Sequence, residues 1–565
     1  MTFIDPEIRA SSPPSPEPFE KPAAASLPEE LPGTVFLISA AGKVLKLPIP
    51  SESTRDPLNW TPARRIVAFS ALMFYTAVCF FENKLPAALM GAFHHEFDPE
   101  ANKKQDGGHR NVESLNTLVV IANGFGYLVS IPLSAAVGRR PILLATCLLT
   151  CISTISAGLS ETYIGLAISI FFQGLAVGQN FGIMADCRYI QGVLYILDAT
   201  FVNERPYAMA LYWSITTGLI SMLLIPLPYI TDTAVNWKPV YRVWIIPCVV
   251  SLLVIYFFIP ESFFLRPAVA MDGRILTQSS SETVRIYDNW EDLDAEGRDP
   301  HRELADEPKS SLRRQCLKVT RAIGTEWKAA GAIYMQMLLC FCNPLVLWVS
   351  LLGAAVLCNV VFLNLTQVVF LSKTLEGDDL RLMNTFFGIS GGISSVFAYF
   401  ASGPLIARCT RLFTVRSGGT RQAEVYLIGF MIPVVAGATS IGLHAAAITN
   451  EWPPAAHYIN FGLANFSFIC GFVATIIWIT EAFPPWASAS LSTELFTLTV
   501  LASVLALNLG EWAKSGNILG PCAVLVALLV LMGVLAVPLA FWGKNVRQYI
   551  NGKWSQNEKG AIRPQ

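Results

Sequence analysis

The chain has 565 residues, of which 53% are hydrophobic and only 14% are charged, and its mean hydropathy is +0.48. Soluble proteins carry about 25% charged residues, so this deficit indicates an integral membrane protein. The formal net charge of −1 gives no support to nucleic-acid binding, and no nucleic-acid partner is expected.

Residues 1–63 are polar, acidic and rich in proline, and we expect them to form a disordered cytoplasmic tail. This segment lacks the basic, then apolar, then small-residue order of a cleaved signal peptide. The first membrane helix is therefore expected to target the protein. The twelve cysteines are scattered singly and form no CxxC pair, so neither a zinc site nor redox chemistry is indicated.

Long apolar runs dominate the rest of the chain, and a helix that crosses a bilayer needs about 20 mostly apolar residues. Segment 181–191 does not fit this pattern and is either an insertion or a gene-sequence error. The sequence predicts an all-α membrane protein with twelve transmembrane helices in two six-helix halves, residues 64–260 and 336–543. The candidate helices lie near 66–90, 114–136, 142–160, 163–185, 207–230, 242–260, 343–365, 382–406, 425–448, 456–480, 487–510 and 517–542.

The segment between the halves, 261–335, is expected to be a cytoplasmic linker. Its basic end, 311–328, either lies along the membrane surface or is a solvated linker. Positive residues favour cytoplasmic loops, and arginines cluster before the first helix and after the second and eighth. Both termini, including the tail 544–565, are therefore expected in the cytoplasm, with the plasma membrane as the location.

The stretch "IPLSAAVGRRP" at 131–141 places two arginines between apolar runs. A charged side chain at the bilayer centre costs about 2.5–3.5 kcal/mol or more, so this stretch predicts a turn between two membrane helices. A related stretch, "GPLIARCTR" at 403–411, follows the eighth helix. Recurrence of one pattern at equivalent places in two halves favours an internal repeat.

Both stretches resemble the Gly-x-Leu-x-Asp-Arg-x-Gly-Arg-Arg motif of the major facilitator superfamily. The matching residues are Leu133, Gly138, Arg139 and Arg140 in the first half and Gly403, Leu405, Arg408 and Arg411 in the second. The chain looks most similar to fungal members near the twelve-span drug:proton antiporter branch. This resemblance implies two halves related by a pseudo-two-fold axis along the membrane normal, with a substrate cavity between them.

The sequence also departs from that branch. Ile170 stands where the family has a buried arginine linked to proton transfer, and the fifth helix lacks the Gly-Pro antiporter motif. These departures leave the coupling mechanism and the direction of transport open.

Polar residues inside membrane helices are candidates for substrate binding or coupling, because lipid makes unsatisfied polar groups costly. Each also has a structural explanation: an amide can join two helices, and a tryptophan can lie in an interfacial belt. Glu82 and Lys84 could pair, which would leave Glu82 near the outer mouth. The candidates are Glu82, Asn123, Gln173, Gln179, Asn180, Asn359, Trp478 and Glu494.

Glu494 has the strongest claim among these. With a rise of 1.5 Å per residue from Trp486, it should lie roughly 12 Å deep in the membrane. An ionised group stranded in lipid would be expensive, so the carboxylate must face the interior and be paired or protonated. Such a group suits a proton carrier, although a structural hydrogen bond is the alternative.

Charged residues at the cytoplasmic helix ends are expected to form a gate that breaks as the halves move, or simply to set the topology. Arg139 and Arg140 could meet Asp198 and Glu204. Arg408 and Arg411 could meet Glu481, and Arg205 belongs to the same set.

The predicted function is a secondary active transporter of a small organic molecule, with proton-coupled export of a toxic compound or secondary metabolite. The alternatives are an uptake permease for a nutrient or polyamine, or a non-transporting membrane sensor. No phosphate-binding loop of the G-x-x-x-x-G-K-[ST] type and no catalytic or metal-ligand pattern is present. We therefore expect no enzyme activity and no cofactor, and a protein that works as a monomer with protons as co-substrate.

Overall fold

The computed structural model describes residues 34–36, 60–97, 112, 114–185, 205–230, 236–261, 277–278, 284–285, 327–375, 378–416, 420–483 and 486–554. These residues form twelve membrane-length helical segments, numbered here as spans 1 to 12. The first six are Pro62–Ala88, Ser114–Val137, Arg139–Leu159, Tyr163–Ala185, Arg205–Leu224 and Lys238–Phe258.

The second six spans are less regular. Span 7 is Pro344–Thr374, span 10 is Pro454–Ala482 and span 11 is Ala487–Lys514. Span 8 runs from Asp378–Phe400 through a π-helical turn, Ala401–Leu405, into Ile406–Arg416. Span 9 joins a 3₁₀ segment, Ala423–Phe430, to Met431–Thr449. Span 12 is Leu519–Val534 followed by Ala536–Trp554, with a bend of 43° between them.

Ten of these segments are long and apolar enough to cross a bilayer, and the bent span 12 makes eleven. Span 4 is the twelfth, and its apolar part is the shorter stretch Tyr163–Gln179. Large apolar side chains such as Ile246, Phe397 and Val435 are more than 60% exposed, as expected for a surface that contacts lipid. The prediction of an all-α membrane protein with twelve transmembrane helices in two six-helix halves is confirmed.

The described chain also contains smaller elements. A short helix, Met90–Phe97, follows span 1, and a single turn, Leu227–Ile230, follows span 5. A helix not expected from the sequence, Trp327–Phe341, precedes span 7 and is called the linker helix below. Strand β1 (Thr34–Phe36) pairs antiparallel with β4 (Thr420–Gln422), and β2 (Thr277–Gln278) with β3 (Val284–Arg285).

Local sequence signals fix several helix starts. Span 1 begins with Pro62 after Thr61, whose side-chain oxygen accepts a hydrogen bond from the Arg64 amide. Span 7 begins in the same way with Pro344 after Asn343, which caps the Leu345 amide at 2.9 Å. Proline suits this position because it has no N–H to satisfy, and the capping side chain satisfies one of the free amides that follow.

The turn between spans 2 and 3 explains why two arginines stand between apolar runs at 131–141. Gly138 has φ = +110°, a conformation that side chains other than glycine rarely adopt. The next two amides, of Arg139 and Arg140, donate to the two oxygens of Glu261 at 3.3 and 3.2 Å. A carboxylate at a helix N-terminus accepts hydrogen bonds from the free N–H groups and interacts favourably with the positive end of the helix dipole. The arginines therefore lie at a helix start held by the end of span 6.

We call the end of the bundle that carries Gly138–Pro141 and Gly403–Arg411 the motif end. Span 12 reaches span 9 here through a buried ion pair, in which Arg547 donates to both oxygens of Glu424 at 2.8 and 2.9 Å. Spans 6 and 3 meet at the equivalent place in the first half through Glu261. In each half a carboxylate thus joins the start of the third span to the end of the sixth, through backbone amides in the first half and through an arginine side chain in the second.

The packing between the halves has the same pseudo-two-fold relation. Span 2 packs against span 11, and span 8 packs against span 5. An axis that exchanges spans 2 and 8 also exchanges spans 11 and 5, so the two contacts are equivalent. The linker helix packs against both span 2 and span 11, and therefore touches both halves.

Spans 2 and 4 approach closely because glycines line their contact. A Cβ on Gly126 would lie 2.5 Å from the Leu175 carbonyl oxygen and 2.7 Å from the Gly178 Cα. Gly174 and Gly178 face the backbone of Val119 and Asn123 in the same way. Small residues that let helix backbones approach are typical of packing in membranes.

We predict that Gly126→Ala lowers the free energy of unfolding by about 1–3 kcal/mol, because its methyl group must push spans 2 and 4 apart. The melting temperature of the purified protein in detergent measures this effect. Gly442→Ala is the matched control, since a Cβ there meets nothing within 4 Å. Equal melting temperatures for the two variants would contradict the packing described here.

Candidate functional site

A cavity of about 230 Å³ lies between the two halves. Its walls come from spans 1, 2 and 5 of the first half and from spans 7, 8, 10 and 11 of the second. Asn116 at the start of span 2, Leu224 at the end of span 5 and Asn384 near the start of span 8 line one end of it. The cavity therefore extends from the end opposite the motif to the middle of the bundle.

Side-chain amides provide most of the polar surface of the cavity. The Asn123 nitrogen donates to the Gly174 carbonyl at 2.7 Å in the favoured amide orientation, and its oxygen accepts from Asn83 at 3.1 Å. Asn465 donates to Ser394 at 2.9 Å. Amides both donate and accept, so this surface can bind hydroxyl, carbonyl or carboxylate groups. The lining amides are Asn83, Asn116, Asn123, Asn364, Gln367, Asn384 and Asn465.

Aromatic rings close the cavity towards the motif end. Trp213 of span 5 packs on Phe472 of span 10 with ring centroids 5.0 Å apart, and on Phe80 of span 1 at 6.1 Å. Phe468 packs on Phe472 at 4.7 Å. These rings come from both halves, so they form a shared floor that offers an apolar surface to a ligand.

An ion pair lies beyond this floor and joins the halves. Arg205 Nη1 at the start of span 5 is 2.8 Å from Glu481 Oε1 at the end of span 10, with side-chain exposures of 3% and 8%. The expected gate included both residues but paired Glu481 with Arg408 and Arg411. Those two arginines are exposed on the last part of span 8 and form no ion pair with Glu481. Helix geometry explains the difference, because span 8 presents them to solvent while Arg205 points between the halves.

The remaining gate candidates are only partly described. Arg139 and Arg140 are buried at the start of span 3, and Arg140 also donates to the Tyr256 carbonyl at 3.0 Å. Their expected partners, Asp198 and Glu204, lie outside the described residues. That part of the gate stays a prediction.

Glu82 and Lys84 do not form the expected pair. Glu82 is fully buried, away from the cavity lining, where Thr154 donates to it and its Oε1 lies 3.1 Å from Cys248 Sγ. Lys84 lines the cavity instead. Residues two apart on a helix do not share a face, which is the reason for the separation.

Glu494 is also fully buried, on span 11, and does not line the cavity. Neither of its carboxylate oxygens has a hydrogen-bond partner among the described residues. A Cβ on Gly353 of span 7 would lie 3.4 Å from its Oε1, so the side chain points into the span 7–span 11 contact. Ser492, two residues earlier on span 11, donates to the carbonyl of Tyr127, a residue that lines the cavity, at 3.1 Å.

The other predicted residues are dispersed. Gln173 and Asn359 are fully buried outside the cavity lining, with no hydrogen bond to either side-chain amide atom within the described part of the chain.

Trp478 is buried against Trp348, with ring centroids 5.5 Å apart, so it is a core residue and not part of an interfacial belt. Gln179 is half-buried near the end of the described part of span 4, and the Asn180 side chain lies outside the described residues. Of the eight binding or coupling candidates, Asn123 is the one that lines the described cavity.

Two buried histidines are not among the residues predicted from the sequence. His444 Nε2 lies 2.8 Å from Thr366 Oγ1, and the rings of His444 and His457 are 6.4 Å apart. Gln367, which lines the cavity, donates to the His457 carbonyl at 3.3 Å. A histidine in each of two neighbouring membrane helices was the available signal.

Comparisons with known proteins agree with this architecture. The Major Facilitator Superfamily profile matches residues 66–507. The MFS-type transporter paaT of Penicillium rubens is 22% identical over 477 residues, which cover 79% of this chain and 74% of that protein. The multidrug transporter FLR2 of Candida glabrata is 24% identical over 241 residues, 42% of this chain and 36% of that protein.

A solved structure shares the fold. The proton:xylose symporter XylE bound to 6-bromo-6-deoxy-D-glucose aligns with a TM-score of 0.50 at 14% identity. The alignment covers 86% of this chain and 96% of that one.

We predict strong coupling between Arg205 and Glu481. Arg205→Met and Glu481→Met should each lower the free energy of unfolding by about 3–5 kcal/mol, because each leaves a buried charge without this partner. The double variant should lose much less than the sum. The free energies of unfolding of the wild type, both single variants and the double variant, measured in mixed detergent micelles, form the double-mutant cycle.

The partly exposed pair of Lys238 and Glu96, at 2.9 Å, is the matched control for this cycle. Lys238→Met should change stability by less than about 1 kcal/mol, because solvent screens the charges. Additive losses at Arg205 and Glu481 would show that the pair does not hold the halves together.

Proposed function

This chain belongs to the major facilitator superfamily, and from that premise we propose that it moves a small organic molecule across the membrane by alternating access. The observation that carries the proposal is a cavity lined by both halves and closed at one end by the Trp213–Phe472 contact and the Arg205–Glu481 pair. Both contacts cross between the halves. A rocking motion that separates them would open the floor of the cavity to the other side.

We assign the motif end to the cytoplasmic side of the plasma membrane. Arginines concentrate in the helix ends and connecting segments at this end, and positive residues favour the cytoplasmic side. The cavity then faces outward in this structure, with both termini in the cytoplasm. Breaking the Arg205–Glu481 pair is the step that gives the cytoplasm access to the cavity.

We propose export as the direction and protons as the driving ion. FLR2, one of the relatives, is named a multidrug transporter, which supports a toxic compound or secondary metabolite as the substrate. Export as the direction rests on the resemblance to the drug:proton antiporter branch. Such a function needs a group that takes up and releases a proton as the halves move.

Glu494 is our candidate for the proton-carrying group. It is fully buried between spans 7 and 11, and its carboxylate has no described hydrogen-bond partner. An ionised carboxylate in such a place is expensive, so loss of its proton should accompany a rearrangement that admits water or a cation. Glu82 is the second candidate, although Thr154 and Cys248 already surround it.

The direct test is flux in proteoliposomes that contain the purified full-length chain. A panel of labelled organic compounds is offered under an imposed pH gradient, with a protonophore as the control. We expect at least one compound to move against its own concentration gradient until the protonophore is added. Binding in the cavity without flux of any bound compound would refute transport and favour a sensor.

We predict that Glu494→Gln keeps the fold and ligand binding but removes the pH dependence of flux. Glutamine has nearly the same shape but cannot carry the proton. Initial rates measured between about pH 5 and pH 8 test this, with Glu511→Gln as control, because Glu511 is exposed on the same span. A wild-type pH profile in Glu494→Gln would exclude Glu494 and make Glu82 the next residue to test.

A further inference from the structure

Lys84 is the one charged residue among the described residues that line the cavity. From this position we infer the substrate class: an amphipathic organic anion, with a carboxylate or similar group bound by Lys84 and an apolar body on the aromatic floor. The inference rests on the proposed transport function, since it assigns the ligand of the same cavity.

The charge of Lys84 is not neutralised by the described protein. It forms no ion pair with a described residue, and Glu82, its nearest carboxylate in sequence, faces Thr154 and Cys248. No aspartate or glutamate belongs to the described lining. An ammonium group inside a membrane protein is costly without a partner, so an anion entering the cavity gains a strong interaction.

Neutral donors lie in the same cavity. The side chains of Asn364 and Asn384 face it and form no hydrogen bond with the described residues. Their NH₂ groups can therefore donate to a carboxylate, in addition to the lysine. The rest of the ligand would contact Trp213, Phe468 and Phe472 at the floor.

The same observations argue against a cationic substrate such as a polyamine. A cation would need a carboxylate or a ring of acceptors to replace its water, and would also be repelled by Lys84. The fully buried carboxylates of Glu82 and Glu494 lie outside the described lining of the cavity, and those of Glu424 and Glu481 are paired with arginines. This distribution of charge favours an anionic substrate over a polyamine.

Three compounds with one aromatic body test the inference: 2-naphthoate, 2-naphthamide and 2-naphthylmethylamine, which are negative, neutral and positive at pH 7.4. Equilibrium binding is measured on the purified full-length chain in lipid nanodiscs. We expect naphthoate to bind at least about tenfold more tightly than the other two, as is typical for a hydrogen bond between charged groups. Tighter or equal binding of the amine would overturn the inference, and so would absence of binding by all three.

The variants assign the effect to one side chain. Lys84→Gln should weaken naphthoate binding by about tenfold or more and leave naphthamide binding within about twofold, which also shows that the variant is folded. Lys84→Arg should keep naphthoate affinity. Lys238→Gln is the matched control, because Lys238 pairs with Glu96 outside the cavity lining and should change nothing. Unchanged naphthoate affinity in Lys84→Gln would overturn the assignment.

Flux then separates this inference from the proposed function. Naphthoate that binds through Lys84 but does not move under a pH gradient would uphold the substrate class and refute transport of that compound. Gradient-driven flux of the amine in preference to naphthoate would uphold transport and refute the anion.

Discussion

The buried ion pair between Arg205 and Glu481 holds one end of the bundle closed, and the cavity depends on that closure. The pair is formed between the halves, so it cannot persist if they separate at this end. It lies directly beyond the shared aromatic floor, where Trp213 and Phe472 also meet across the halves. Removing two charges from water is expensive, and their attraction offsets that cost only while the geometry is good. The two charges are stable either when they are paired with each other or when water solvates each of them separately, as a contact that opens and closes requires.

The contacts inside each half are of a different kind. Glu261 holds the start of span 3 in the first half, and Arg547 holds Glu424 at the start of span 9 in the second. Both join spans of one half, so both can survive when the halves move apart. Arg547 also donates to the Ala482 carbonyl at 3.4 Å, next to Glu481. The contacts inside the second half therefore also fix the backbone beside Glu481.

The sequence was sufficient for the spans but not for the site. Hydropathy depends on each segment alone, which is why the twelve helices and the arginine turn between spans 2 and 3 could be predicted. The second arginine stretch, 403–411, is not a turn, because span 8 continues through it as a helix to Arg416. A cavity depends on which helix faces pack against one another, and a single sequence does not show this. Glu82 and Lys84 show the difficulty: two residues apart, one is packed between helices and the other lines the cavity. Arg205 was predicted in the gate, but its pairing with Glu481 required the packing of span 5 on span 10.

The linker helix has a consequence for the order of assembly. Met337 in this helix accepts from Ser492 and Thr493 of span 11, and the helix also packs on span 2. Span 2 emerges from the ribosome early and span 11 among the last segments, so the groove that seats the linker helix is incomplete through most of synthesis. Apolar side chains of the unseated helix, such as Ile333 and Met337, must meanwhile be covered by lipid or by the translocation machinery. Span 11 thus completes the packing site of a helix that was synthesised well before it.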